Sequence, residues 1–442
     1  MPQTAIIIGA GVAGMSLAQK LSDEGISVTL IEATKSLGGH CRSIFDAHTK
    51  EFVDNGQHLM MGAYFEFLNF IDRLETKDSL SILQNLDIQF YNSLNENYRV
   101  FDNNISGKAG FAYAISKLKL LSNKEKMQFI KFVLKIKLMN PEDIKTTVSQ
   151  FLIENKQSQN IVQLLWTPLT LAVLNSSPSE APASLFVKVM QIAFLGSNEA
   201  SKFIYCNSNY KELFEPLSDI LKNNHSQILF NTPINEIKFS DNKAKGIVTK
   251  SGEFLTADYI ISAVPFHQLL KLLPDEVVLN SPLKFLYYYT SNTIISSHLW
   301  YQEEIDLPII NAVVMSPIHW IFNRRKMNVK YANSNYKSCF SITISDANEM
   351  NDKSQNEIYE IITDELSMVN DIFSKYKPSY YRIFKDKRAT FASTIKSEKV
   401  RISQKTQFDN FFICGDWTDT KYPATIEGAA VSASIVNDLI LG

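Results

Sequence analysis

Gly9, Gly11 and Gly14 stand at the spacing G-x-G-x-x-G, and Glu32 follows eighteen residues after the last of them. That set of residue types is suited to gripping a dinucleotide. Gly9 allows a tight turn, Gly11 lets the backbone approach a pyrophosphate, and Gly14 lets a helix pack close on a strand. Any side chain at Gly11 would occupy phosphate space. A helix starting after these glycines offers unpaired N–H groups and about half a unit of positive charge, so an anion is held there without a basic side chain. Glu32 can accept both hydroxyl protons of an adenosine ribose and would repel a 2′-phosphate. The motif alone does not separate NAD from FAD.

The elements needed to position these residues are legible around them. Ala5, Ile6, Ile7 and Ile8 form a continuous apolar run, as a parallel strand buried on both faces requires. Met15, Leu17, Ala18 and Leu21 follow at helical spacing, Gly25 is placed to end the helix, and SVTLIE returns to strand character with Glu32 at its end.

Three further groups could do chemistry. Gly38 and Gly39 form a step whose backbone can run against a ligand, with His40 or Arg42 available to a phosphate. The stretch EFVDNGQHLMMGAY carries Asp54, Asn55, Gln57 and His58 among apolar and small residues, a pattern suited to a site. His58 fits equally a satisfied structural histidine. Near the C-terminus, Phe411 to Cys414 read as a buried strand with Gly415 and Asp416 at its carboxyl end, where α/β sheets bind ligands. Thr425 then starts a helix through Ile426 and Glu427. Its N–H groups are expected to face a flavin ring, which favours FAD over NAD.

The rest of the 442-residue chain bounds the reading. A net charge of −2 argues against nucleic acid as a partner. Cys41, Cys206, Cys339 and Cys414 are far apart, so neither a metal site nor a disulfide framework is expected and the compartment should be reducing. The first strand begins almost at Met1 and no run of about 18 apolar residues occurs, which predicts a cytosolic protein. Residues 64–200 read as mainly helical. Within them Lys124 to Leu138 is both basic and apolar: a domain helix with snorkelling lysines is slightly favoured over one lying on the inner membrane face. Trp166 and Pro168 sit in an aliphatic helical stretch suited to a dry lining for a hydrocarbon, or to a core. Residues 227–264 read as a strand meander that returns to the nucleotide-binding sheet. Between 285 and 395, five strands around a helix at 354–375 build a second sheet. The expected fold is α/β: a Rossmann-like FAD-binding domain (1–63, 201–284 and 396–442) interleaved with a mixed-sheet and helical substrate domain (64–200 and 285–395).

The motifs IIIGAGVAG with Glu32, Gly38-Gly39, the meander and GDWTDTKYPATIEGAAVSA together resemble the amine oxidase and phytoene desaturase superfamily of two-domain FAD enzymes. More narrowly, DNGQHLMMGAY, LLWTPLTLAVLNSSPSEAPASLF, SPIHWIFNR and KRATFAST resemble the hydroxysqualene dehydroxylases of squalene and hopanoid synthesis. The resemblance implies FAD bound between the N-terminal motif and Gly415-Asp416, with Ile234, Thr425 and Ile426 beside it. It also implies an apolar tunnel for a C30 isoprenoid, for which Trp166, Pro168, Trp320 and Trp417 are candidates. The implied reaction removes an allylic hydroxyl with reduced flavin as hydride donor, the flavin itself being reduced by an electron donor the sequence does not identify. Protonating the leaving hydroxyl needs an acid. His58 is the first candidate, with Gln57 orienting it; Asp416, Asp419 and Tyr422 are alternatives. An oxidase or desaturase of a carotenoid precursor or an amine, and a flavin-bearing subunit without turnover, are the competing expectations. Two positions depart from the pattern: His40 replaces an arginine, leaving Arg42 to meet the phosphate, and Asn323 replaces an aspartate before Arg324.

Overall fold

A computed structural model describes residues 3–92, 97–102, 107–328 and 334–442. Its first sheet is parallel, with Thr4–Ile8 at the centre. Ser27–Ile31 and then Gln227–Leu229 lie on one side, Tyr259–Ser262 and Phe411–Ile413 on the other. Alternate residues face opposite ways, and both faces are covered. Ala5, Ile7, Val28 and Leu30 pack on Met15, Leu17 and Leu21 of the helix Val12–Asp23 and on Ala430, Ala433 and Val436 of the C-terminal helix Ile426–Leu441. Ile6, Ile8, Ile260 and Phe411 pack on the antiparallel trio Ile234–Ser240, Lys243–Thr249 and Phe254–Leu255 and on Phe266 and Leu269. The near-continuous apolar strands of the sequence are accounted for by this double burial.

The second sheet has seven strands in the order Tyr380–Phe391, Ser291–Tyr301, Ser338–Ile344, Trp320–Asn323, Ile310–Val314, Asp87–Asn92 and Tyr98–Phe101. One face packs on the helix Gln355–Val369 through Ile358, Ile362 and Leu366. The other carries Ile88, Phe90, Ala312 and Phe322 toward the helices of residues 123–194.

Two features differ from the sequence reading. Residues 64–200 include the strands Leu80–Ile82, Asp87–Asn92 and Tyr98–Phe101. Their sequences alternate weakly, and Asp87–Asn92, besides its hairpin partner Tyr98–Phe101, joins the sheet only by pairing with Ile310–Val314, far along the chain. Strand formation there is set by tertiary pairing rather than local preference. The helix Phe65–Arg73 packs Phe67, Phe70 and Ile71 into the core of the first sheet, so the crossing toward the second half falls after it rather than at residue 64.

Ion pairs lock the two halves together through the hairpin Ser43–Asp46 and Glu51–Asp54. Asp46 meets Arg382 at 3.0 Å, Glu51 meets Arg325 at 2.7 Å and Asp54 meets Arg324 at 3.4 Å. All three acids are buried, so loss of any one arginine would strand a buried charge.

Glu427 ties the C-terminal helix to Phe65–Arg73 by accepting the N–H groups of Glu66 and Phe67 at 3.1 and 3.0 Å. Burial nevertheless pushes its carboxyl up from 4.5 to about 7. Because the folded value lies above the unfolded one, the stabilisation is full below the unfolded value and is lost as pH rises through the folded one. The loss is on the order of 3 kcal/mol. Glu427→Gln, which copies the neutral form, should flatten stability against pH between about pH 5 and 8 in urea denaturation. An unchanged slope in the variant would assign the pH dependence to another group.

Candidate functional site

A cavity of about 1430 Å³ joins the glycine turn of the first sheet to the inner face of the second. At one end it is bordered by Gly9, Gly11, Glu32, Gly38, Gly39, Arg42, Ile234, Gly415, Asp416, Thr425 and Ile426, so cofactor-binding candidates from distant parts of the chain converge. Gly14 is absent from this border for a physical reason. A Cβ there would lie 1.9 Å from the carbonyl oxygen of Gly9, so Gly14 serves helix-on-strand packing. At Gly11 a Cβ would meet nothing nearer than the Gly39 Cα at 4.0 Å, and would project into open space beside the helix N-terminus.

Glu32 is held at the cavity edge. One carboxylate oxygen accepts the Ala10 N–H at 3.0 Å; the other accepts the Thr34 N–H and hydroxyl, each at 2.8 Å. The remaining lone pairs are available to a diol. Across the cavity, the Thr425 hydroxyl caps its helix by accepting the Gly428 N–H at 3.2 Å. Two helix N-termini thus open onto one space with an acidic residue at its edge, and that arrangement fits FAD. Asp416 is enclosed beside Arg401, which donates to the backbone oxygens of Asp416 and Tyr422. Burial raises the Asp416 carboxyl above its ordinary value, against the pull of His40 and Arg401.

The turn 54–58 lies where the cofactor end meets the apolar end. Asp54 accepts the Ser43 hydroxyl at 2.5 Å and pairs with Arg324, while its backbone oxygen lies 2.8 Å from His298 Nε2. The arginine of SPIHWIFNR therefore fixes the base of DNGQH. Sequence reasoning missed this partner, although a basic residue closing a buried strand needs a carboxylate. Asn323 caps the short helix Arg324–Met327 and binds the Leu307 carbonyl, which gives its side chain a structural task.

His58 borders the cavity, held by the His40 backbone and by the edge of Tyr210 at 5.5 Å. Its Nε2 is buried without a partner among the described residues. Burial is the main cause that lowers its pKa below 6.5, so the ring is mostly neutral at pH 7. Gln57 borders the cavity but makes no hydrogen bond to His58 among the described residues, so it does not orient the ring here. Asp419 pairs with Lys421 and Tyr422 lies under Lys188, and neither borders the cavity.

The other end is apolar. Ile88, Phe90, Val100, Leu169, Phe194 and Phe322 line it, along with Pro168 and Trp320, while Trp417 closes the wall near Phe266. Trp166 stands in the wall but presents no free surface. It stacks on Phe129 at 5.0 Å and donates to Gln157 at 3.0 Å, a core arrangement behind the lining. Local π-helical turns at Val162–Trp166 and Met190–Phe194 shape this region, a distortion frequent near functional sites.

A dinucleotide cradle opening directly into an apolar chamber defines the class: a two-part flavin-dependent oxidoreductase. Residues 12–441 match the sequence model of the flavin containing amine oxidoreductase family, and the chain belongs to that family, with FAD as its cofactor. Among relatives, it is 26% identical to a hydroxysqualene dehydroxylase of Sinorhizobium fredii, covering 100% of this chain and 99% of that protein. It is 24% identical to the enzyme of the same name from Rhodopseudomonas palustris, again over 100% and 99%. A 15-cis-phytoene desaturase of Capsicum annuum is 23% identical over 100% of this chain and 78% of its own length. An oxidoreductase structure from Methanosarcina mazei superposes with a TM-score of 0.76 at 14% identity, covering 98% of this chain and 100% of that one. Putrescine oxidase bound to putrescine superposes at 0.71 and 13%, over 100% and 99%. At such identities the structural likeness speaks for the fold.

Proposed function

We propose that this FAD enzyme acts on a C30 isoprenoid and reductively dehydroxylates hydroxysqualene to squalene. The observation that carries the reading is the junction: an apolar chamber meets the flavin cradle where His58 presents an unpartnered buried nitrogen. The full-length relatives named hydroxysqualene dehydroxylase support it. In the balanced reaction an allylic C–O bond breaks, a C–H bond forms with a hydride, and the hydroxyl leaves as water after taking one proton. Bound and reduced, FAD supplies that hydride. His58 in its protonated form gives the proton from Nε2 to the leaving oxygen. Ile88, Phe90 and Phe322 keep water from the electron-deficient carbon. Asp54, Arg324 and Ser43 hold the turn that carries His58. Anaerobic incubation of the reduced protein with hydroxysqualene should yield squalene with one flavin oxidised per product. No squalene would reject the reading. Desaturation of a carotenoid precursor is the second reading, favoured by the phytoene desaturase relatives; oxidised enzyme turning over phytoene would establish it.

The reading extends to placement at a membrane surface. The helix Asn123–Leu138 buries Phe129, Phe132 and Ile136, so the core explanation accounts for one face. Met127, Ile130, Leu134 and Leu138 are exposed on another, with Leu138 at 87%, and lysines flank them. No helix among the described residues is long and apolar enough to cross a membrane. An apolar face bordered by lysines suits attachment to an anionic lipid surface. Anionic liposomes should float the protein at low salt, and salt should weaken binding. Lys131, Lys135 and Lys137 changed to Gln, or Leu134 and Leu138 changed to Glu, should abolish flotation. Flotation unchanged in both variants would return the helix to a purely structural role.

A further inference from the structure

The apolar end of the cavity contains a polar row that the reaction described above does not use. Ser296, Thr343 and Trp320 lie directly opposite one another on three adjacent antiparallel strands, so their side chains share one face of the sheet. Thr343 and Trp320 border the cavity on that face, and Ser296 stands behind them in the same row. The Ser296 hydroxyl, the Thr343 hydroxyl and the Trp320 indole N–H are all buried and have no hydrogen-bond partner among the described residues. On the Trp320 side the neighbours of this face, Phe90 and Phe322, are apolar, while Ser341 and Ser345 flank Thr343 along its own strand.

Buried polar groups left unpaired oppose folding, so three in one row call for a polar ligand. We infer that Thr343 and Trp320, backed by Ser296, form the subsite that receives the hydroxyl of an isoprenoid alcohol. This rests on the dehydroxylation reading and adds how the alcohol is told from the hydrocarbon. An alcohol oxygen can accept the Trp320 N–H while its own proton goes to the Thr343 oxygen. Squalene has no group to make these bonds. A site of this kind favours substrate over product, because the hydrocarbon leaves the buried polar groups unpaired again.

The test uses FAD-loaded protein and two probes, hydroxysqualene and squalene, with binding read from the perturbation of flavin absorbance. Wild type should bind the alcohol more tightly. Thr343→Val should weaken alcohol binding by about 3- to 10-fold and leave squalene binding unchanged, and Trp320→Phe, which also trims the chamber wall, should weaken alcohol binding more than squalene binding. Thr343→Ser, which keeps the hydroxyl, should retain the preference. The thermal midpoint should stay equal or rise in the near-isosteric Thr343→Val, since it removes an unpaired buried hydroxyl; a merely structural role would lower it. Turnover by wild type with the alcohol preference intact in both variants overturns the subsite and leaves dehydroxylation standing. Equal binding of both probes by wild type also overturns it. A wild type that binds hydroxysqualene selectively but never converts it rejects dehydroxylation while leaving the subsite in place.

Discussion

Gly11→Val yields a folded protein that takes up no flavin. The backbone at Gly11 has φ −74°, which valine adopts without strain, and a Cβ there meets no atom within contact distance of the fold. The penalty falls on the ligand, because the added methyl groups enter the space where the turn and the first helix N-terminus would receive a pyrophosphate. Gly14→Val should behave differently, failing to fold, since its Cβ would overlap the Gly9 carbonyl. Glu32→Ala should weaken FAD by about 1–3 kcal/mol through loss of charge-assisted hydrogen bonds. It also frees the Ala10 and Thr34 N–H groups, so the loop itself should loosen. Flavin absorbance per chain, alongside circular dichroism melts, separates these outcomes. Wild-type occupancy in Gly11→Val would place the pyrophosphate elsewhere, and a wild type that stays colourless with added FAD would remove the cradle altogether.

The cradle was legible because its parts depend on local rules. Three glycines, an apolar strand and an acid at fixed spacing have few other uses, and Phe411 to Asp416 followed by Thr425 repeat that logic at the far end of the chain. The pairing of Asp54 with Arg324 was not legible, because 270 residues separate them and nothing local marks a partner. Trp166 illustrates a different limit. An aromatic residue in an aliphatic helix suits a lining and a core equally, and only the positions of Phe129 and Gln157 decide for the core. The row Ser296, Thr343 and Trp320 depends on strand register, which alternation within each strand leaves undetermined across so long a loop.

His58→Ala should slow reoxidation of the reduced flavin by hydroxysqualene by about 10²-fold or more while FAD stays bound. The reason is the order of events at the C–O bond: hydroxide is a poor leaving group, and the apolar chamber offers no water to protonate it. His58 Nε2 is a buried titratable nitrogen with no partner among the described residues, and it borders the cavity. Its lowered pKa makes the expected pH dependence specific. At pH 7 the neutral imidazole predominates, so the rate should rise as the pH is lowered and more of the enzyme carries the imidazolium. It should level off only below the lowered value, which lies under 6.5. The Ala variant should lose this slope. Asp416 is the competing acid, because burial raises its carboxyl and it borders the same cavity. Asp416→Asn should therefore change flavin binding but keep the histidine slope. Rapid anaerobic mixing with flavin absorbance as the signal measures the step directly. If the slope survives in His58→Ala and vanishes in Asp416→Asn, the proton comes from Asp416 and the role of His58 is structural.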